Sequence, residues 1–260
     1  MTLLVVDRLT KRFGGVAAAR DVSFTLAAGE MLAIIGPNGA GKSTTFNMVG
    51  GQLKPDSGSV TLAGRPITGL PARAIWRAGV GRTFQVAQAF VSMSVAENVQ
   101  MALVSRHGRS RSLFTDTRRL YRDEALELLG EVGLRAEADR PVAELAYGDV
   151  KRVELAVALA SRPKLLLMDE PTAGMAPRER GGLMALTARV ARSQGIGVLY
   201  TEHDMDAVFG HADRVLVLVR GEIIASGPPE AVRADAQVRQ VYLGEAGAAA
   251  ALRARRKAVA

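Results

Sequence analysis

The chain has 260 residues, and its 34 Lys and Arg against 26 Asp and Glu give a formal net charge of +8. With 48% hydrophobic and 23% charged residues it is typical of a globular protein, which excludes disordered and collagen-like chains. The sequence contains no cysteine and no apolar run near the roughly 18 residues that span a bilayer, so disulfides, thiolate-held metals and a membrane-spanning helix are excluded.

The first third of the chain alternates short strands with one helix. Strands are predicted at residues 3–7, 21–26, 30–35, 59–63 and 80–85 from their β-branched content and partial alternation. The third of these runs is apolar after Glu30, as in a strand buried on both faces. A glycine-rich turn follows it, and a helix is predicted at residues 42–49.

The middle of the chain is predicted to be helical, and in the remainder helices alternate with strands again. Helices are predicted at residues 95–104 and 119–132, with a basic, polar loop at 105–112. Further helices are predicted at 150–160, 179–193, 229–233 and 235–242, and strands at 164–168, 197–201, 213–219 and 223–225. This alternation indicates an α/β fold with a mainly parallel core sheet, into which residues 86–148 insert a helical subdomain. The Ala-rich basic tail, 246–260, is expected to be flexible.

One motif carries the chemistry. The pattern G-x-x-x-x-G-K-[ST] is matched by Gly36, Pro37, Asn38, Gly39, Ala40, Gly41, Lys42 and Ser43. Glycines let successive N–H groups turn inward around a phosphate, and the following helix directs its positive dipole end at the same anion. Lys42 supplies a charge for the β- and γ-phosphates, and the Ser43 hydroxyl is a hard oxygen ligand suited to Mg²⁺.

A second strand ends in two carboxylates, as a phosphoryl-transfer site requires. The apolar run 165–168 is followed by Asp169 and Glu170. We expect Asp169 to hold Mg²⁺, directly or through water. Glu170 is then placed to orient and polarise the water that attacks the γ-phosphate.

The order of further motifs resembles the nucleotide-binding subunits of ABC (ATP-binding cassette) transporters over about residues 3 to 245. The family's signature motif falls at Leu145, Ala146, Tyr147, Gly148 and Asp149, and its D-loop at residues 173–176. Gln85 and His203 follow strands as the Q-loop glutamine and the switch histidine do. Phe13, ahead of two glycines, is similar to the aromatic residue that stacks on adenine.

Within this family the chain is most similar to the ATPase components of branched-chain amino-acid importers. Residues 81–85, 145–148, 169–175 and 241–244 carry this narrower likeness. Related importers that carry amides, urea or aromatic acids remain open alternatives, as does a soluble ABC ATPase that is not coupled to transport. A scaffold that binds ATP without hydrolysis is disfavoured by Glu170 and His203, and a phosphate-loop kinase by the signature region.

The resemblance implies a P-loop NTPase core of the RecA type, with an antiparallel β subdomain, and a single nucleotide-binding domain over residues 1–245. It implies ATP bound by residues 36–43 with Thr44 and Phe13, Mg²⁺ held by Ser43, Gln85 and Asp169, and catalysis by Lys42, Gln85, Glu170 and His203. The implied partners are a second ATPase subunit, two integral membrane permease subunits and, indirectly, a periplasmic substrate-binding protein. Specific nucleic-acid binding is not expected, and the implied location is peripheral, at the cytoplasmic face of the inner membrane.

In that family two such domains close head to tail around two ATP molecules, and each signature motif faces the ATP of the other subunit. This chain departs from the general signature, because Ala146 lacks a hydroxyl group and Asp149 stands where the family has a neutral glutamine. An intact phosphate-binding loop combined with an atypical signature favours a heterodimer with a second, different ATPase subunit. A homodimer is the alternative. The basic loop 105–112 is a candidate contact with acidic lipid or with the membrane subunits.

Overall fold

Two β-sheets and the helices around them build the computed structural model, which describes residues 1–83, 89–107 and 120–241. The strands are β1 (Thr2–Phe13), β2 (Val16–Ala27), β3 (Met31–Ile35), β4 (Ser57–Leu62), β5 (Arg65–Pro66), β6 (Val80–Thr83), β7 (Leu165–Asp169), β8 (Gly197–Thr201), β9 (Arg214–Val219) and β10 (Glu222–Gly227). The α-helices are α1 (Lys42–Val49), α2 (Ala72–Arg77), α3 (Val95–Arg106), α4 (Arg122–Glu131), α5 (Tyr147–Leu159), α6 (Pro177–Gln194), α7 (Met205–His211) and α8 (Pro229–Ala234).

The larger sheet places the functional residues. Its strand order is β10-β9-β3-β8-β7-β6, and all neighbouring strands run parallel except β10, which is antiparallel to β9. The smaller sheet is antiparallel, in the order β2-β1-β4-β5. The predicted α/β fold with a mainly parallel core is therefore confirmed, and the carboxyl ends of β3, β7 and β8 meet at one edge, where open α/β sheets bind ligands.

The central strand β3 is buried on both faces. Met31, Ala33 and Ile35 point into a hydrophobic core shared with helices α3 to α7, whereas Leu32 and Ile34 point into a second core beneath the antiparallel sheet and α1. All five side chains are fully buried. This explains the unbroken apolar run in the sequence, since a strand covered on both sides has no polar face.

The first two strands are longer than predicted. We expected strands at residues 3–7 and 21–26, but β1 and β2 pair over 12 residues each. Register shifts interrupt their pairing after Val6 and after Leu9, and Arg8 and Asp21 adopt a positive φ of 47°. Such irregularities break the alternation of apolar and polar side chains, so the period-two signal is lost although the strands continue.

Two helices went unpredicted and one begins earlier than expected. Helices α2 and α7 have six and seven residues, too few for an apolar period to stand out. Helix α5 begins at Tyr147 rather than at residue 150, with Ala146 as its N-cap. Most other boundaries lie within two residues of the prediction, and residues 236–241 are helical, as expected for the segment 235–242.

The expected helical insertion is described at residues 89–107 and 120–148. It holds α3, α4 and two short 3-10 turns, Arg135–Glu137 and Val142–Glu144. Helix α3 starts with a capping box, in which Ser94 Oγ accepts from Glu97 N at 3.2 Å and Glu97 Oε2 accepts from Ser94 N at 2.8 Å. Most of the basic loop 105–112 and the whole tail 246–260 lie outside the described residues. Within the described ranges, no helix combines the length and apolarity needed to cross a bilayer.

Candidate functional site

The glycine-rich loop leaves β3 through positions that only glycine can occupy. Gly36 has a φ of 153°, and a Cβ atom there would lie 2.1 Å from the carbonyl oxygen of Leu218. Gly41 has a φ of 102°, and its Cβ would lie 2.2 Å from the carbonyl oxygen of Ala18. The loop is thus pressed between β9 on one side and β2 on the other, so its shape depends on both strands.

The turn between β9 and β10 braces the loop, which the sequence did not reveal. Gly221 N donates to Ala40 O at 2.8 Å, and Arg20 N donates to Gly221 O at 2.8 Å. The only sequence signal was the short gap between the strands predicted at 213–219 and 223–225, and that gap does not indicate which residues the turn contacts. These bonds connect the loop to both β-sheets and fix the direction in which its N–H groups point.

A cavity of about 300 Å³ opens above the loop and α1. Its lining consists of Phe13, Ala18, Asn38, Gly39, Ala40, Gly41, Lys42, Ser43, Thr44, Glu170 and His203. Lys42 is buried, and its Nζ donates to Gly36 O at 2.6 Å and to Pro37 O at 3.2 Å. No side chain caps the N-terminus of α1 and no acidic residue lies in its first turn, so the helix presents a positive end to an anion in the cavity.

The two carboxylates at the end of β7 are organised by β8, its parallel neighbour. Asp169 pairs in register with Thr201, whose Oγ1 donates to Asp169 Oδ1 at 2.7 Å. Glu170 N donates to the carbonyl oxygen and to Oγ1 of Thr201, both at 3.1 Å. Glu170 Oε1 lies 2.9 Å from His203 Nε2, so the predicted water-orienting carboxylate and the predicted switch histidine are in direct contact at the cavity. Thr201 was not singled out by sequence reasoning, since threonine in a strand is common.

Arg82, near the end of β6, adds a positive charge beside Asp169. Its Nη2 lies 3.7 Å from Asp169 Oδ2 and donates to Asn47 Oδ1 at 2.9 Å. Burial lowers the pKa of Arg82 from its ordinary value, and the nearby Asp169 carboxylate opposes that shift. The guanidinium is a strong base and carries its positive charge at neutral pH.

The segment that carries His203 is anchored on both sides. Glu202 is buried, and its Oε1 accepts from Thr172 N at 2.8 Å and from Thr172 Oγ1 at 2.6 Å. Asp204 caps α7 by accepting from Ala207 N at 2.9 Å and also pairs with Arg180. The Ala207 N–H and the Arg180 charge hold the pKa of Asp204 below its ordinary value. These contacts fix His203 to the residues that follow Glu170.

The five signature residues lie away from this cavity. Leu145 to Asp149 surround the first turn of α5, and none of them lines the cavity of about 300 Å³. Ala146 and Tyr147 are exposed, and Asp149 Oδ1 lies 3.5 Å from Arg152 Nη1 on the next turn. The aspartate charge is thus partly balanced within the helix.

The remaining predicted residues divide into three groups. Phe13 is 52% exposed at the end of the β1–β2 hairpin, on the wall of the cavity. Gln85 lies outside the described residues, so its position relative to Asp169 stays a prediction. His107 stacks on Tyr121 and His211 packs near α6, and neither lines the cavity.

The donors at this edge fit a magnesium ion that is shared with a nucleotide. The Ser43 hydroxyl and the Asp169 carboxylate offer hard oxygen atoms. Among the residues that the structure describes, no group of three or more His, Cys, Asp or Glu side chains could hold a metal ion. Mg²⁺ needs only one or two protein ligands where substrate phosphates and water complete its coordination shell.

Comparisons with known proteins point in one direction. A family model described as "ABC transporter" matches residues 19–173, and one described as "Branched-chain amino acid ATP-binding cassette transporter" matches residues 222–248. The chain is 41% identical over 254 residues to the "High-affinity branched-chain amino acid transport ATP-binding protein LivG" of Salmonella typhimurium. That alignment covers 94% of this chain and 98% of the relative.

Solved structures agree with the sequence comparisons. The ADP conformation of MJ1267, an ATP-binding cassette of an ABC transporter, superposes with a TM-score of 0.85 at 31% identity and covers 94% of this chain and 99% of that chain. The dimeric post-hydrolysis state of the cassette MJ0796, bound to ADP and phosphate, gives a TM-score of 0.72 at 26% identity over 87% of this chain and 99% of that chain.

Proposed function

Because this chain belongs to the ATP-binding subunits of ABC transporters, we propose that it powers the import of branched-chain or closely related amino acids. As a member of this family the chain is an ATPase, which converts ATP and water into ADP and phosphate. The observation that carries the proposal is the convergence of the loop, Glu170 and His203 on one cavity. Residues from four separate parts of the chain meet there, and the loop, Glu170 and His203 line the same space.

We propose that the triphosphate lies in the cavity against the loop and the N-terminus of α1. Backbone N–H groups among residues 38–44 and the Lys42 ammonium bind the β- and γ-phosphates, and Phe13 stacks on the adenine. Phe13 suits this role because its ring is half exposed on the cavity wall. An exposed aromatic ring that gains a partner on binding removes apolar surface from water.

For hydrolysis, Glu170 accepts a hydrogen bond from the attacking water and draws its proton as the oxygen approaches the γ-phosphorus. His203 holds the Glu170 carboxylate from the opposite side, at 2.9 Å, and fixes its direction. The bond between the γ-phosphorus and the β–γ bridging oxygen breaks, and ADP leaves with that oxygen. Mg²⁺, when bound by Ser43, Asp169 and the predicted ligand Gln85, neutralises phosphate charge.

ABC cassettes dimerise and work with membrane components, and we propose which surface of this chain meets its partner. The signature residues Leu145 to Asp149 lie apart from the cavity of their own chain. No side chain caps the N-terminus of α5, so its N–H groups and dipole can face the ATP held by a second subunit. Given Ala146 and Asp149, we propose that this second subunit is a different ATPase with a complete signature.

A groove of about 900 Å³ beside the sheet is the proposed docking site for a membrane subunit. It runs between α2, β6, α3 and α5, and Arg73, Trp76, Arg77 and Arg106 lie along it. A wide groove with an indole ring and several guanidinium groups suits a helical segment that carries acidic side chains. This docking would hold the chain peripherally at the cytoplasmic face of the inner membrane.

Reconstitution tests the proposed function. The chain would be combined with a candidate second ATPase, the two permease subunits and the substrate-binding protein, and ATP hydrolysis and leucine uptake into vesicles measured together. We expect the leucine-loaded binding protein to raise both rates. Arg73→Glu should reduce that stimulation, because it reverses a charge in the groove, whereas Arg8→Glu, on the distant strand β1, should not.

The same experiment separates the alternatives. Stimulation by amides, urea or aromatic acids, but not by leucine, would assign the chain to a related importer; the match of residues 222–248 supports branched-chain amino acids. A rate of ATP hydrolysis that is the same with and without the membrane subunits would favour a soluble ABC ATPase.

A further inference from the structure

Arg82 has an environment that a structural arginine on an edge strand does not require. Its side chain is only 14% exposed, and the guanidinium stacks 4.9 Å from the centre of the Phe46 ring. It donates to Asn47 on α1 and to Gln52 just beyond that helix. These contacts hold the guanidinium in place, and Nη2, which donates to Asn47, also lies 3.7 Å from Asp169 Oδ2.

The Asp169 carboxylate is consequently held from two sides. Thr201 Oγ1 donates to Oδ1 at 2.7 Å, while Arg82 Nη2 lies 3.7 Å from Oδ2. The first contact is a neutral hydrogen bond and the second is an ion pair at low exposure. A divalent cation that approaches this carboxylate therefore meets an anion whose charge is already partly balanced.

We propose that Arg82 is the counter-cation of Asp169 and sets the affinity of the metal site for divalent cations. The arginine fixes the orientation of the carboxylate and at the same time weakens its attraction for a metal ion. A moderate affinity serves a site that must release metal and product after each turnover. This inference rests on the proposed role of Asp169 as a cation ligand.

The experiment measures Mn²⁺ affinity by electron paramagnetic resonance on the full chain, with a nonhydrolysable ATP analogue at saturation. Arg82→Met and Arg82→Gln remove the charge, and each should bind Mn²⁺ about three- to ten-fold more tightly, the effect of removing a unit charge several ångströms away in a largely water-like medium. Arg82→Lys keeps the charge and should stay within about two-fold of the wild type on the same reasoning. Arg65→Met, an exposed arginine on strand β5 of the smaller sheet, is the matched control and should leave the affinity unchanged.

Melting temperatures, recorded in parallel, identify variants that fail to fold. Two neutral variants are used because glutamine can still bond to Asn47 if methionine disturbs the fold. Neutral variants that bind Mn²⁺ no more tightly than the wild type would overturn the proposal and leave Arg82 a structural role. Asp169→Asn separates the two hypotheses: if it fails to weaken Mn²⁺ binding, the proposed role of Asp169 itself is wrong.

Discussion

Glu170 occupies a strained backbone conformation at the edge of the cavity. Its φ is +47°, a left-handed value that costs a non-glycine residue about 1–2 kcal/mol. Its N–H bonds to Thr201 and its side-chain contact with His203 offset this cost. A strained residue that is held in place by its neighbours, beside a predicted phosphate site, is expected of a group that must meet the attacking water in one orientation.

Replacing Glu170 with glutamine should therefore abolish most hydrolysis without preventing ATP binding. The amide is the same size but cannot accept the proton of water, so we expect turnover to fall about 100-fold or more. Phosphate release measures turnover, and fluorescence of a labelled ATP analogue measures binding. Glu230→Gln, on the exposed helix α8, is the matched control; equal loss in both variants would count against a catalytic role for Glu170.

At the scale of single elements, helix α7 depends on one charged cap. Asp204 accepts from Ala207 N at 2.9 Å and pairs with Arg180. Removing an aspartate cap costs about 0.5–2 kcal/mol of stability. We expect Asp204→Ala to lower the free energy of unfolding by about 1 kcal/mol at neutral pH, measured in urea. Asp206→Ala, in the same first turn, is the control and should change it less.

The effect of Asp204→Ala should depend on pH in one direction. The folded-state pKa of Asp204 is lowered below that of the unfolded chain, so its stabilisation is complete above the unfolded-state pKa of about 3.9. It is lost as the pH falls through the folded-state pKa. The difference between wild type and variant should thus be constant from pH 7 to about pH 5 and shrink below pH 4. A difference that grows on acidification would show that Asp204 acts otherwise.

At the scale of the whole molecule, the proposed dimer would take half of each of its two ATP sites from this chain. The loop, Glu170 and His203 face one cavity, and the N-terminus of α5 lies outside it. Asp149 is partly balanced by Arg152 but keeps a negative charge near the place where a partner's triphosphate would lie. This asymmetry underlies the proposal of a heterodimer.

Two measurements test that proposal. The purified chain alone should hydrolyse ATP slowly, and addition of a second subunit with a complete signature should restore activity, because the ATP on this loop then faces a competent partner. Asp149→Gln should not reduce that activity, since it removes an unfavourable charge. Full transport stimulated by substrate in a homodimer would contradict the heterodimer.

Much of the chemistry could be predicted from the sequence, because its parts are local. Residues 36–43 form their loop within eight positions, and an apolar run that ends in Asp169 and Glu170 predicts carboxylates at a strand end. Local spacing decides which groups such a segment can offer. The resemblance to a family then added the predictions for Phe13, Gln85, His203 and the signature, which spacing alone would have left as unrelated residues.

The tertiary structure decided what those groups touch. The contact of Glu170 with His203 joins residues 33 positions apart and exists because β7 lies beside β8 with Asp169 opposite Thr201. The brace from Gly221 depends likewise on strands brought together by packing. The register of the strands and the burial of their side chains depend on the packing of the whole core, not on a local pattern of apolar residues. The sequence by itself therefore determined which chemical groups the site contains. Only the folded sheet determined the geometry in which they meet.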